Sequence, residues 1–243
     1  MISKKAMKKR RSAYALLAAV MIGTLIFPGT ALAARGASSG EQEMTADYGK
    51  DDAVKTGGGY AASKQLEESG YAAVIYDAEN GLPTSDANCV LSASDGYIWI
   101  GGYSGIFKYD GDKFTRLDSS KGLTSGRSLF EDSKHRIWVG TNDNGIVLID
   151  GEETTHITYK DGLPGSQVRG FAETDEGTIY VATTNGLAYI DMNLAVHPFY
   201  DETVENAYIM RILRDPDGVI YCNTRGGDVF SIRNGSLDMF VPA

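Results

Sequence analysis

A repeat constrains this chain more than any other feature. Asp95-Gly96-Tyr97-Ile98-Trp99-Ile100-Gly101-Gly102 returns as Lys134-His135-Arg136-Ile137-Trp138-Val139-Gly140-Thr141. It returns again as Glu176-Gly177-Thr178-Ile179-Tyr180-Val181-Ala182-Thr183 and as Asp217-Gly218-Val219-Ile220-Tyr221-Cys222-Asn223-Thr224. The aromatic position advances by 39, 42 and 41 residues. A glycine follows each aromatic by six or seven residues (Gly105, Gly145, Gly186, Gly227), and a short apolar run follows each glycine. A period near forty, built from short strands and tight turns, is that of a β-propeller, whose blades bury their faces only against one another.

Each unit reads as four antiparallel strands, a to d. In the third these are Val168–Glu173, Thr178–Thr183, Gly186–Asp191 and Ala195–Tyr200. Asp-Gly and Glu-Gly pairs mark the a–b hairpins, and Asp110-Gly111, Asp150-Gly151 and Asn234-Gly235 mark c–d, because glycine accepts the positive φ of primed turns. The expected fold is therefore all-β, a β-propeller of four-stranded antiparallel blades over about 77–118, 119–159, 160–200 and 201–243. Ala72–Tyr76, an apolar stretch before the first blade, holds the place of an orphan outer strand d. Four blades plus an orphan strand suit part of a larger ring that continues past Ala243. The other arrangement is a closed four-bladed ring with the orphan strand as an edge cover.

Between units the linkers repeat too: Asn80-Gly81-Leu82-Pro83, Lys121-Gly122-Leu123-Thr124 and Asp161-Gly162-Leu163-Pro164. Together with Ile137-Trp138-Val139-Gly140-Thr141, Gly145-Ile146 and Ile149-Asp150, this pattern resembles the two-component regulator propeller repeat family. Tyr180 and Tyr221 stand where the family has Trp, and Ala182 and Asn223 where it has Gly. The resemblance implies an extracytoplasmic sensor domain that binds a small molecule or carbohydrate, linked to the membrane and to a kinase or cyclase output by downstream sequence. It leaves open a dimer of the full-length protein.

The N-terminus agrees with export. Six basic residues among the first eleven precede Ser12–Phe27, an uncharged stretch, and then Ala31-Leu32-Ala33. That order is a secretory signal peptide over residues 1–33. The uncharged stretch is shorter than the roughly 20 residues a membrane-spanning helix needs. Residues 34–70, polar and carrying Gly57-Gly58-Gly59, read as a flexible linker. The expected location is the periplasmic or extracellular face of the cytoplasmic membrane.

Charge excludes one partner class. The chain has 32 Asp and Glu against 23 Lys and Arg, and six of those basic residues lie in the leader. Phosphate backbones repel such a chain, so nucleic acid is not a partner. Anionic lipid surfaces are disfavoured for the same reason.

Few residues suggest chemistry. Trp99, Trp138, Tyr180 and Tyr221 read as packing between blades rather than as a stacking ring for ligand. Asp143-Asn144-Gly145 and Asp215-Pro216-Asp217-Gly218 lack calcium-loop spacing. His135, His156 and His197 occupy unrelated positions and make no metal motif. Cys89 and Cys222, on non-neighbouring blades, are too far apart to bridge and read as buried free thiols. No nucleophile and base pair up. Glu131, Glu173, Arg169, Arg211 and Arg214 are the charged residues expected towards the axis. No catalytic residue, metal or cofactor is expected.

A ligand site is expected instead on the face formed by the b–c and d–a connections. The b–c loops offer Tyr103 and Ser104, then Asn142, Asp143 and Asn144, then Thr184 and Asn185, then Arg225. Amide, hydroxyl and guanidinium groups with one aromatic suit a polar ligand. The function expected is a non-catalytic sensor. An exported propeller lyase or hydrolase and a protein-interaction scaffold are the alternatives.

Overall fold

A computed structural model of the chain describes residues 55–56, 59–61, 74–77, 81–84 and 86–241. The expected signal peptide and most of the expected linker lie outside the described residues. All described residues belong to one unit, Asp52–Ala243.

The first sheet holds β1 (Lys55–Thr56), β2 (Gly59–Ala61) and β3 (Val74–Ile75). Four four-stranded antiparallel sheets follow. Blade 1 is β4 (Ala87–Ser92), β5 (Ile98–Gly102), β6 (Gly105–Tyr109) and β7 (Phe114–Arg116). Blade 2 is β8 (Ser128–Glu131), β9 (Ile137–Gly140), β10 (Ile146–Asp150) and β11 (Glu153–Ile157). Blade 3 is β12 (Val168–Glu173), β13 (Ile179–Thr183), β14 (Gly186–Ile190) and β15 (Val196–Pro198). Blade 4 is β16 (Ile209–Arg214), β17 (Ile220–Thr224), β18 (Val229–Arg233) and β19 (Ser236–Val241). In each blade the strands pair in chain order, so they are the expected a, b, c and d.

The a strands β4, β8, β12 and β16 touch one another in that order, which places them innermost. The core lies between blades. Trp99 and Ile106 of blade 1 pack with Ile137, Val139 and Val147 of blade 2. Trp138, Ile146 and Leu148 pack with Val168, Phe171 and Val181 of blade 3. Tyr180, Ala182 and Leu187 pack with Ile209, Ile220, Cys222 and Phe230 of blade 4. Each repeated aromatic is buried, from 0% exposed at Trp138 to 6% at Tyr180. Packing between sheets thus uses three of the rings that the repeat made conspicuous, Trp99, Trp138 and Tyr180.

One expectation is corrected. The strand before blade 1 is present as Val74–Ile75 but is not an orphan: β3 pairs with β2, and β2 with β1. Thr56 pairs with Gly59 just as Thr183 pairs with Gly186 and Gly102 with Gly105. A stretch that composition alone marks as tether therefore repeats the b–c register of the blades. β1 to β3 have the order b, c, d, and Gly59, one of the glycines that suggested flexibility, opens β2. Tyr76 then packs tilted against Tyr109 and edge-on against Phe114 of blade 1, with ring centroids 5.6 Å and 5.2 Å away.

Candidate functional site

The strand order gives the sheets two faces. The a–b and c–d turns emerge on one, and the b–c loops and d–a connections on the other.

The turn face is a set of joints. At the end of the a strands of blades 2, 3 and 4 a charged side chain reaches back to the a–b turn of the preceding blade. Glu131 accepts hydrogen bonds from the Ser94 backbone N–H, at 2.8 Å, and from its hydroxyl. Glu173 accepts the same pair from Ser133, at 2.8 and 2.7 Å. In the third joint the polarity reverses, and Arg214 Nη2 lies 2.6 Å from Asp175. Glu131, Glu173 and Arg214 were expected towards the axis; they are committed to joints between blades.

His135 joins the first of these clasps. Its Nδ1 is 2.9 Å from Ser94 Oγ and 3.3 Å from Glu131 Oε1. The three residue types are those of a hydrolytic triad. Both contacts, however, use the same ring nitrogen, so the imidazole cannot relay a proton from hydroxyl to carboxylate across its two nitrogens. A cleft of about 600 Å³ also opens on this face, lined in part by Tyr180, Tyr189, Phe199, Arg214 and Asp217.

The loop face differs. Four residues stand at one repeat position, four after the aromatic: Tyr103, Asn142, Thr184 and Arg225. Tyr103 is 58% exposed. The Asn142 backbone N–H donates to Ser125 Oγ at 3.1 Å, while its side-chain Nδ2 is buried with no partner. The Thr184 backbone N–H donates to the Gln167 carbonyl at 3.1 Å. The Arg225 backbone N–H donates to the Tyr208 carbonyl at 2.8 Å, and its guanidinium lies 5.6 Å from the Tyr208 ring centre.

The remaining expected site residues do other work. Asn144 Nδ2 donates to Thr124 Oγ1 at 3.3 Å, and Asn185 Nδ2 donates to the Pro164 carbonyl at 2.9 Å. Both tie a b–c loop to the preceding d–a connection. The Ser104 carbonyl accepts a hydrogen bond from Arg116 of outer strand β7. Asp143 is exposed.

Residues outside that set complete the loop face. In β4, β12 and β16 the register with strand b slips by one residue, at Asn88, Arg169 and Met210. Such bulges re-aim a side chain. In blade 2 the same place, just before β8, holds Arg127, whose N–H bonds the Gly140 carbonyl. Arg127 Nη1 donates to Asn88 Oδ1 at 3.3 Å. The Arg169 guanidinium lies 5.6 Å from the Tyr208 ring centre, and its Nε is buried without a partner. Burial, then the charges of Arg127 and Arg211, pull the Arg169 pKa below its ordinary value, against Tyr208 and Tyr103. Groups from all four blades thus share one electrostatic neighbourhood. The signal in the sequence was the recurrence of Asn88, Arg127 and Arg169 at one repeat position.

The fold defines the chain as a β-propeller protein. The sequence model of the two component regulator propeller repeat matches residues 124–143, in blade 2. No curated protein matches the chain in sequence. Among solved structures it is similar to the extracellular domain of a hybrid two component system from B. thetaiotaomicron, with 20% identity and a TM-score of 0.59 over 66% of this chain and 24% of that one. The extracellular domain of a one component system from the same organism gives 18% identity and a TM-score of 0.61 over 76% and 30%. Virginiamycin B lyase from Staphylococcus aureus gives 16% identity and a TM-score of 0.57 over 76% and 63%. The chain spans less than two thirds of each. At these identities the likeness establishes the fold.

Proposed function

We propose that this chain is part of the sensor propeller of an exported bacterial signalling protein, and that it binds a small polar or carbohydrate ligand at the axial end of its loop face. One observation carries the reading. Arg169 of blade 3 has the Tyr208 ring 5.6 Å away and feels the charges of Arg127, Arg211 and Tyr103, so groups from all four blades act on one guanidinium. Structural joints explain the charged residues of the turn face; none of the joints described above uses this set. A membrane-linked kinase or cyclase output is part of the same proposal, and the likeness to two component and one component extracellular domains supports it.

The test is calorimetric titration of the full chain with a panel of oligosaccharides. Tyr103→Ala, Asn142→Ala and Arg225→Ala are each expected to weaken binding. Asp110→Ala and Asp217→Ala, on the turn face, are expected to leave it unchanged. Loss of binding in the turn-face variants alone would overturn the assignment.

A further inference from the structure

The loop-face mouth is cationic in an acidic protein. Arg127, Arg169 and Arg211 come from the inner strands or starts of three successive blades, and Arg225 from the adjoining loop. Among the described residues the ion pairs use Asp95, Glu131, Asp132, Asp175 and Asp191, and none involves these four arginines. Like charges held together repel, and half-buried ones repel more strongly than in water. An acidic chain also keeps long polyanions away while a local cationic mouth still draws a small anion.

Hydrogen bonding points the same way. Among the described residues, four buried side-chain atoms have no hydrogen-bond partner. Arg169 Nε and Asn142 Nδ2, two donors, lie on this face, and Asn223 Oδ1, an acceptor, is directly across the ladder from Arg211. Buried donors without acceptors are costly, so they mark where an acceptor group belongs. Tyr208, between Arg169 and Arg225, and exposed Tyr103 offer flat faces beside the charge.

We infer that the mouth takes a small solute bearing an oxyanion group, a carboxylate, sulfate or phosphate, seated among Arg127, Arg169 and Arg211. The inference rests on the loop-face reading above and narrows its ligand class. The oxyanion accepts from the guanidinium fans, which suit planar, two-point recognition. The rest of the solute lies against the tyrosine faces.

The experiment titrates the full chain with a uronic-acid disaccharide, with its neutral twin, and with inorganic phosphate and sulfate. The acidic disaccharide is expected to bind at least about tenfold tighter than the neutral one, the scale of one charge-assisted hydrogen bond. Arg169→Gln and Arg211→Gln are each expected to remove about that factor, and Arg211, being exposed, tests the charge without disturbing the fold. Arg233→Gln, on the turn face, is expected to leave affinity unchanged. If phosphate or sulfate alone binds with the same arginine dependence, the occupant is an inorganic anion; if only the uronate binds, it is an organic acid. Equal binding of acidic and neutral sugars, unaffected by the arginine variants, would overturn the anion inference and leave the loop-face reading standing. Failure of every anion to bind would overturn it as well.

Discussion

Ser133 and Glu173, forty residues apart in sequence, are joined by two hydrogen bonds: the serine backbone N–H and hydroxyl both donate to the one carboxylate. The pair spans the joint between blades 2 and 3 at the turn face. A carboxylate accepting two donors is a charge-assisted contact, though its position near solvent limits its worth. Ser133→Ala and Glu173→Ala are expected to be non-additive, with a coupling of about 1 kcal/mol in a double-mutant cycle read by urea unfolding. Additive losses would mean that the joint does not act as a pair.

Asp132 is the most heavily used carboxylate of the described residues. It accepts from the Lys134 and Arg136 backbone N–H groups, both at 2.9 Å, from Arg136 Nε at 2.7 Å and from Trp138 Nε1 at 2.8 Å. Asp132→Ala leaves the buried Trp138 donor and three part-buried ones without this acceptor and is expected to cost about 3 kcal/mol.

The same residue sets a pH dependence. Burial alone would raise its pKa, but the bonds from Trp138 and Arg136 prevail and hold it below the ordinary 3.8. The folded state therefore binds the proton less readily than the unfolded chain. This stabilisation is complete above the ordinary value and is lost as pH falls through the depressed one. Urea midpoints of the wild type are expected to decline in that acid range more steeply than those of Asp132→Asn. Parallel curves would refute the assignment.

Gly140 occupies a site where a side chain has no room. An added Cβ would lie 2.2 Å from Ser128 Oγ and 2.9 Å from Val168 Cβ of the next blade. Gly140→Ala is expected to lower stability by about 1–3 kcal/mol, the range for overpacking a core, measured by thermal unfolding.

Both cysteines are free, and burial pushes the Cys89 thiol up to about 11 and the Cys222 thiol up to about 12. Little thiolate exists near neutrality, so a thiol-specific disulfide reagent at pH 8 is expected to label neither until denaturant is added. Rapid labelling of the folded chain would contradict the packing of Cys222 between blades 3 and 4.

The blade strands were legible because the period exposes them: an aromatic, a turn and a glycine recur in fixed order. His135 shows how far this reached. It holds φ 61° at the turn position where the other blades have Gly96, Gly177 and Gly218, so the turn survives without its marker. The sheet before blade 1 was hidden because Lys55–Ala61 has no aromatic at the strand-b position and no apolar run, and keeps only the Thr-x-x-Gly register. The joints were hidden because their partners differ in type and lie 37 to 40 residues apart. Arg169 was visible as a charged residue, but its companionship with Arg127 and Tyr208 depends on a one-residue register slip that no alternation pattern reports.

The reversed joint at Asp175 and Arg214 makes the junction of blades 3 and 4 unlike the two before it. Blades 2 and 3 each enter a joint with a glutamate, and blades 1 and 2 each receive it on a serine. Blade 3 instead presents an acid, which would repel the glutamate of either earlier blade. Only a unit bringing a cation is matched there, and blade 4 is the one that does. The order of the blades is set by the chain itself, so this exposed contact adjusts the fit of one joint, by at most about 1 kcal/mol, and a charge reversal at Asp175 alone would set like against like at a place where the two earlier joints carry no such risk.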